Sequence, residues 1–161
     1  LDCIYRFDEV TSEPLICRDE DLFAPLNGRE EAIIERMTQA TQTILANFLP
    51  GVIDVFTPLA VGGHIDHQIT RVVAERLELE IHYYADFPYA AKYPAAIETS
   101  LPQGVVASQT VISARGLIAW QEAIACYRSQ ISSFWNSSKE MKQAVETYAG
   151  FPAARTIWKQ S

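Results

Sequence analysis

The residues most able to do chemistry stand together in Val61-Gly62-Gly63-His64-Ile65-Asp66-His67, which holds two of the chain's three histidines. If helical geometry starts at or just after His64, residues three apart share a face with Cβ atoms roughly 5–6 Å apart. Both imidazoles can then address one small volume. Gly62 and Gly63 tolerate positive φ without steric cost, so the main chain can turn sharply from a strand into that helix. In open α/β sheets, the crevice outside the carboxyl ends of the strands is where ligands bind. The chemistry this points to is metal-assisted hydrolysis, which takes three protein ligands and leaves one position open for water. His64, Asp66 and His67 supply all three only on irregular backbone, because positions two apart on a helix point to different sides. His82 reads as a surface or satisfied core residue on a strand. By inventory alone the site is half-built.

The elements that must position these residues follow from periodicity. Val52 to Pro58 is a β-branched run between Gly51 and Pro58, which suits a buried strand. Ile69, Val72, Val73 and Leu77 predict a helix over about 65–79, and Ile81-His82-Tyr83-Tyr84 a second strand. Strand, helix and strand within some thirty residues is a βαβ unit with parallel strands. Asp86-Phe87-Pro88-Tyr89 then falls at the same sheet end as His64. Upstream, residues 7–27 read as loop, and Asn27 with Glu30 as a capping box for a helix over about 29–48. Downstream, 90–103 reads as an irregular or short helical connection and Val105 to Ile112 as a strand near an edge. Leu117, Trp120, Ile124, Tyr127, Ile131 and Phe134 predict one long helix over 115–135 whose stripe packs into a core. Ser137 and Glu140 mark the start of a last helix over about 139–148.

With 161 residues, the chain suffices for one α/β domain spanning 1–161. It is 48% hydrophobic and 20% charged, an ordinary globular balance. A net charge of −7 disfavours nucleic acid, whose phosphates recruit basic faces. No apolar run reaches the roughly 18–20 residues that a membrane span requires. Cys3, Cys17 and Cys126 form no Cys-x-x-Cys pair, which reads as reduced thiols, packed as semi-buried small hydrophobes in a cytoplasmic setting. Neither a Gly-x-Ser-x-Gly elbow nor a phosphate-binding Gly-rich loop occurs. Cys126 lies in the long predicted helix without a base beside it.

Pro58 followed by Gly63-His64-Ile65-Asp66-His67 resembles the second metal-site motif of the PIG-L/LmbE family of zinc-dependent N-deacetylases. Tyr84-Ala85-Asp86-Phe87-Pro88-Tyr89 is similar to that family's Tyr-Glu-Asp-x-Pro-Tyr region. Ala123, Tyr127, Ser129, Gln130 and Phe134 look like its Lys-x-x-Ala-x-x-x-Tyr-x-Ser-Gln helix, and Leu1 to Arg6 like a mid-domain segment. The resemblance implies a Rossmann-like three-layer sandwich with a mostly parallel sheet, incomplete in this chain. It implies Zn2+ as cofactor, with His67 as a metal ligand, His64 stabilising or protonating the tetrahedral intermediate and Asp66 orienting His64. It further implies removal of an N-acetyl or related N-acyl group from a small-molecule amino sugar or glycoconjugate, with homo-oligomers among the expected assemblies. The family's first metal motif, Ala-His-Pro-Asp-Asp-Glu-like, is absent. The reading therefore expects it upstream of Leu1 and expects this segment alone to be inactive. Asp2 and Arg6 are candidates to face substrate, with surface or ion-pair roles equally open. Residues 153–158 follow the family's Ala-Glu-x-x-Trp ending only loosely. Two rival readings stay open: a non-catalytic binding or scaffold relative, and a structural protein in which Trp120, Tyr127 and Phe134 mark a self-association surface.

Overall fold

The computed structural model describes residues 7–8, 11–48 and 53–160. Cys3, the 1–6 segment with Asp2 and Arg6, and Val52 lie outside the described residues. Seven α-helices and four strands follow one another in the chain among the described residues. The first helix, α1 (Glu31–Leu45), precedes β1 (Val55–Pro58), α2 (Ile65–Glu75) and β2 (Ile81–Tyr84). Two short helices follow, α3 (Tyr89–Lys92) and α4 (Ala96–Ser100), then β3 (Val105–Gln109). The rest comprises α5 (Ala114–Ala125), α6 (Arg128–Phe134), α7 (Ser138–Ala149) and β4 (Thr156–Gln160). The four strands form one sheet in the order β1-β2-β4-β3. None of the helices is long and apolar enough to cross a membrane.

The expected βαβ unit is present: β1 and β2 run parallel, with Phe56 opposite His82 and Pro58 opposite Tyr84. Between them α2 buries Ile65, Ile69 and Val73, four residues apart each time, so one stripe faces inward. That stripe joins Ile16 and Ile34 in a core, with Leu22, Leu26 and Met37 packed against it. The helix ends earlier than its apolar pattern predicts, because Glu78 adopts φ +55 just beyond it. Only half of the expected capping box forms ahead of α1: the Asn27 N–H donates to the Glu30 carboxylate at 3.1 Å, but the N-cap is Glu30 rather than Asn27 and has no side-chain cap bond.

The sheet as a whole is mixed, which corrects the expectation of a mostly parallel one. The reason is visible at the strand ends. The segment after β3 returns so that the Thr110 N–H donates to Arg155 O at 2.6 Å, which brings the end of β3 beside the start of β4. A tally of apolar runs cannot reveal that direction.

The chain divides into two compact units, 1–106 with 158–161, and 107–157, with boundaries inside β3 and β4. The second unit is organised on α7, which buries Met141, Val145 and Tyr148. Here the sequence expectation fails twice. The single helix over 115–135 is two helices, broken at Cys126 and Tyr127, where Tyr127 takes ψ +58. Its stripe is also not a buried face: Tyr127 and Phe134 are exposed, and the one buried residue of α5 is Gln121. Gln121 Nε2 donates to Lys142 O and to the Glu146 carboxylate, each at 3.1 Å. Without burial along the whole stripe, nothing compels the helix to continue. The Ser137 cap does appear, its hydroxyl accepting from the Glu140 N–H at 3.2 Å. Cys17 and Cys126 are free and both are exposed, which corrects the expectation of semi-buried packing.

Tyr83 on β2 is 1% exposed, donates its hydroxyl to Glu75 Oε1 at 3.1 Å and lies under the Arg71 guanidinium. Burial first, then the Glu75 charge, pushes its phenol up to about 12, against a partial counter-effect from Arg71. The folded state therefore holds this proton more tightly than the unfolded chain does. That contribution to stability is complete below pH about 10 and is lost as pH rises toward about 12. A phenolate absorbance titration should show a late component that Tyr83→Phe removes.

Candidate functional site

The site is assembled where β1 ends. Ala60, Gly62 and Gly63 take φ +58, +80 and +74, and the Gly63 N–H closes a turn on Ala60 O at 3.0 Å. Glycine is required at 62 twice over. Its φ is positive, and a Cβ there would stand 3.1–3.3 Å from Tyr89. The bend delivers His64 as the N-cap of α2, and the His67 and Gln68 N–H groups both donate to His64 O to start the helix.

The two imidazoles come together as the spacing predicts, with ring centroids 5.4 Å apart. Tyr89 lies against both, at 5.9 Å from His64 and edge-on at 5.3 Å from His67. The hydrogen bonds give the two rings opposite polarity. His64 Nδ1 accepts from the Asp66 main-chain N–H at 3.3 Å, so the neutral ring carries its proton on Nε2. His67 Nδ1 lies 2.6 Å from Asp86 Oδ2. A carboxylate only accepts, so a neutral His67 ring has its proton on Nδ1 and its lone pair on Nε2. In these tautomers His64 Nε2 is a donor and His67 Nε2 an acceptor.

Asp86 is the residue that sequence reasoning placed at the right sheet end but gave no role. It is 2% exposed, and its other oxygen accepts from the Val61 N–H at 3.0 Å. Thus one carboxylate ties the glycine turn, the start of α2 and the end of β2 into a single frame. A ligating histidine usually gives its second N–H to such a group, which fixes tautomer and orientation and raises ligand basicity. The available signal was positional: a carboxylate just past one parallel strand, beside a histidine just past its neighbour. Asp66 contributes its main-chain N–H to His64 and its acidic side chain to the first turn of α2, where the helix dipole favours negative charge.

His82 lies apart from this centre. Its ring stacks on Phe56, centroids 4.8 Å apart, and its Nε2 stands 3.2 Å from Glu80 and 3.7 Å from Asp54. Among the described residues, these three are the sole set of three or more potential donors close enough to share one ion. Asp54 and Glu80 are exposed, and the Lys159 ammonium already sits 2.6 Å from Glu80. That lysine neutralises charge a cation would otherwise meet, so the triad does not displace the His64/His67 centre as the leading candidate.

The chain matches no family model, no curated protein and no solved structure. The PIG-L/LmbE resemblance thus rests on the quoted residues alone. That donor chemistry fits one corner of a zinc site, His67 with its carboxylate behind it, and the described residues do not close the other corners.

Proposed function

We propose that this chain forms part of a zinc-dependent N-deacetylase centre of PIG-L/LmbE type, acting on an N-acetylated amino sugar or glycoconjugate. The observation that carries the reading is the opposite polarity of the two imidazoles. His67 Nε2, oriented by Asp86, is the ligand. His64 Nε2–H is the donor, suited to the oxygen that becomes negative when an amide carbonyl is attacked. Zinc, when bound, supplies a polarised carbonyl and a water whose pKa falls toward about 7. Gly62 and Tyr89 hold the two rings at their spacing, and the Asp66 N–H holds the His64 tautomer. The finer fold proposal is a Rossmann-like arrangement around the β1-α2-β2 unit, completed by further donors outside the described set.

A second reading is a relative that keeps the frame without the chemistry; among the described residues, Asp86 orients His67 without a further donor set closing around it. Zinc titration of the whole chain, followed through the imidazole NMR resonances, decides between them. Affinity is expected to be weak, with His67 Nε2 shifting most. His67→Ala should lower it by about a hundredfold or more, because loss of a second-shell partner alone costs ~10–100-fold. Zinc shifts that survive unchanged in His67→Ala would remove the ligand assignment and leave the non-catalytic relative.

A further inference from the structure

Next to the two imidazoles stands an aromatic ring with no part in the metal frame. Phe23 ends a short turn, Asp19–Phe23, whose start is fixed by Asp21: its carboxylate accepts from the Cys17 and Arg18 N–H groups at 3.0 Å each. The main chain leaving Phe23 is fixed as well, since Gln68 Nε2 donates to Ala24 O at 2.8 Å. Gln68 directly follows His67, so the helix presenting the imidazoles also anchors this turn. The Phe23 carbonyl stands 3.4 Å from where a Cβ on Gly63 would be.

So held, the Phe23 ring meets His64 edge-on at 5.5 Å and Tyr89 at 6.1 Å. His64 and Tyr89 are also the rings that flank His67. Yet Phe23 remains 47% exposed. Its neighbours Leu22 and Leu26 pack against the core cluster, so the turn is secured without the phenyl ring. A phenyl ring has no polar atom; it offers a flat apolar face and close dispersion contact.

Resting on the deacetylase reading, we propose that Phe23 is a specificity-determining residue, a stacking platform for the C–H face of the pyranose ring that carries the N-acetyl group. The amide belongs at His67 Nε2 and the His64 donor. Phe23 adjoins that pair through its contacts with His64 and Tyr89, so a group attached to the amide on that side would meet the phenyl ring. A saturated sugar ring presents on one face the C–H surface that a fixed, half-exposed phenyl ring accepts.

The test uses the full chain and two probes, methyl N-acetyl-β-glucosaminide and acetamide, each titrated by NMR with and without zinc. The glucosaminide should shift the His64 and Tyr89 resonances of the unmodified protein. Phe23→Ala and Phe23→Leu should each weaken its binding about fivefold, the scale of one aromatic contact. Leu keeps apolar volume but not the flat face, whereas Phe23→Trp keeps the face and should retain affinity. Acetamide binding and the zinc-induced shift at His67 should be the same in all four proteins. Equal glucosaminide affinity across the series, no glucosaminide binding by the unmodified chain, or acetamide loss in step with the sugar would each overturn the platform. If zinc fails to shift His67 in the unmodified protein, the deacetylase reading falls; if zinc acts and the sugar ignores Phe23, the platform alone falls.

Discussion

Asp86→Ala should unfold at a lower denaturant midpoint and lose zinc response together. The substitution strips the acceptor from two donors, the Val61 N–H and His67 Nδ1–H, in a place where Asp86 itself is 2% exposed. A buried donor left without a partner costs about 1–3 kcal/mol, so the pair amounts to about 2–6 kcal/mol. Asp86→Asn separates stability from ligation. Its amide oxygen can keep the Val61 bond, while its NH2 must then face His67 Nδ1 and donate to it. The His67 proton would move to Nε2, occupying the lone pair that ligation requires. Asn should therefore retain much of the stability while lowering zinc affinity ~10–100-fold. Chemical denaturation reads the first effect, and the 15N shifts of His67, which report its tautomer, read the second. An Asn variant with an unchanged tautomer and unchanged zinc response would show that Asp86 does not set the ring's polarity.

Gly62→Ala should cost about 2–5 kcal/mol, made of two parts that a control can separate. An L-residue in the left-handed region costs roughly 1–2 kcal/mol. The new Cβ also meets Tyr89 Cδ1, Cβ and Cγ at 3.1, 3.2 and 3.3 Å, and forcing atoms into a packed place adds about 1–3 kcal/mol. Gly28 has φ +91 with nothing within 4 Å of its would-be Cβ, so Gly28→Ala carries only the backbone part. The expected result is a clearly larger loss at 62 than at 28. It should come with altered His64 and His67 resonances, because Tyr89 touches both rings. Equal losses at the two glycines would mean that the Tyr89 approach carries no weight.

How far the site was legible differs from residue to residue. The meeting of His64 and His67 followed from a helical start next to two glycines, a local rule that holds whatever surrounds it. Asp86 was placed at the correct sheet end because two short strands flanking one helix must run parallel. Its bond to His67 spans 19 residues and depends on side-chain direction, which spacing does not encode. Phe23 and Gln68 were invisible for the same reason: the Gln68–Ala24 bond spans 44 residues of chain. The 115–135 stripe misled because period alone cannot distinguish a face that will be covered from one left in water.

By itself, then, the sequence determined the local parts of this protein. It set a strand, a glycine bend and a helix with two imidazoles on one face, because these depend on contacts within a few residues, and a second strand in parallel, because a helical crossover returns the chain in the same direction. Tertiary structure decided the rest. It chose which carboxylate backs His67, which partner each Nδ1 meets, and where the long stripe breaks. It also set the direction of β4 beside β3. These depend on which groups distant in the chain lose their water together, and a buried hydrogen bond is satisfied only by the partner that the packing brings to it.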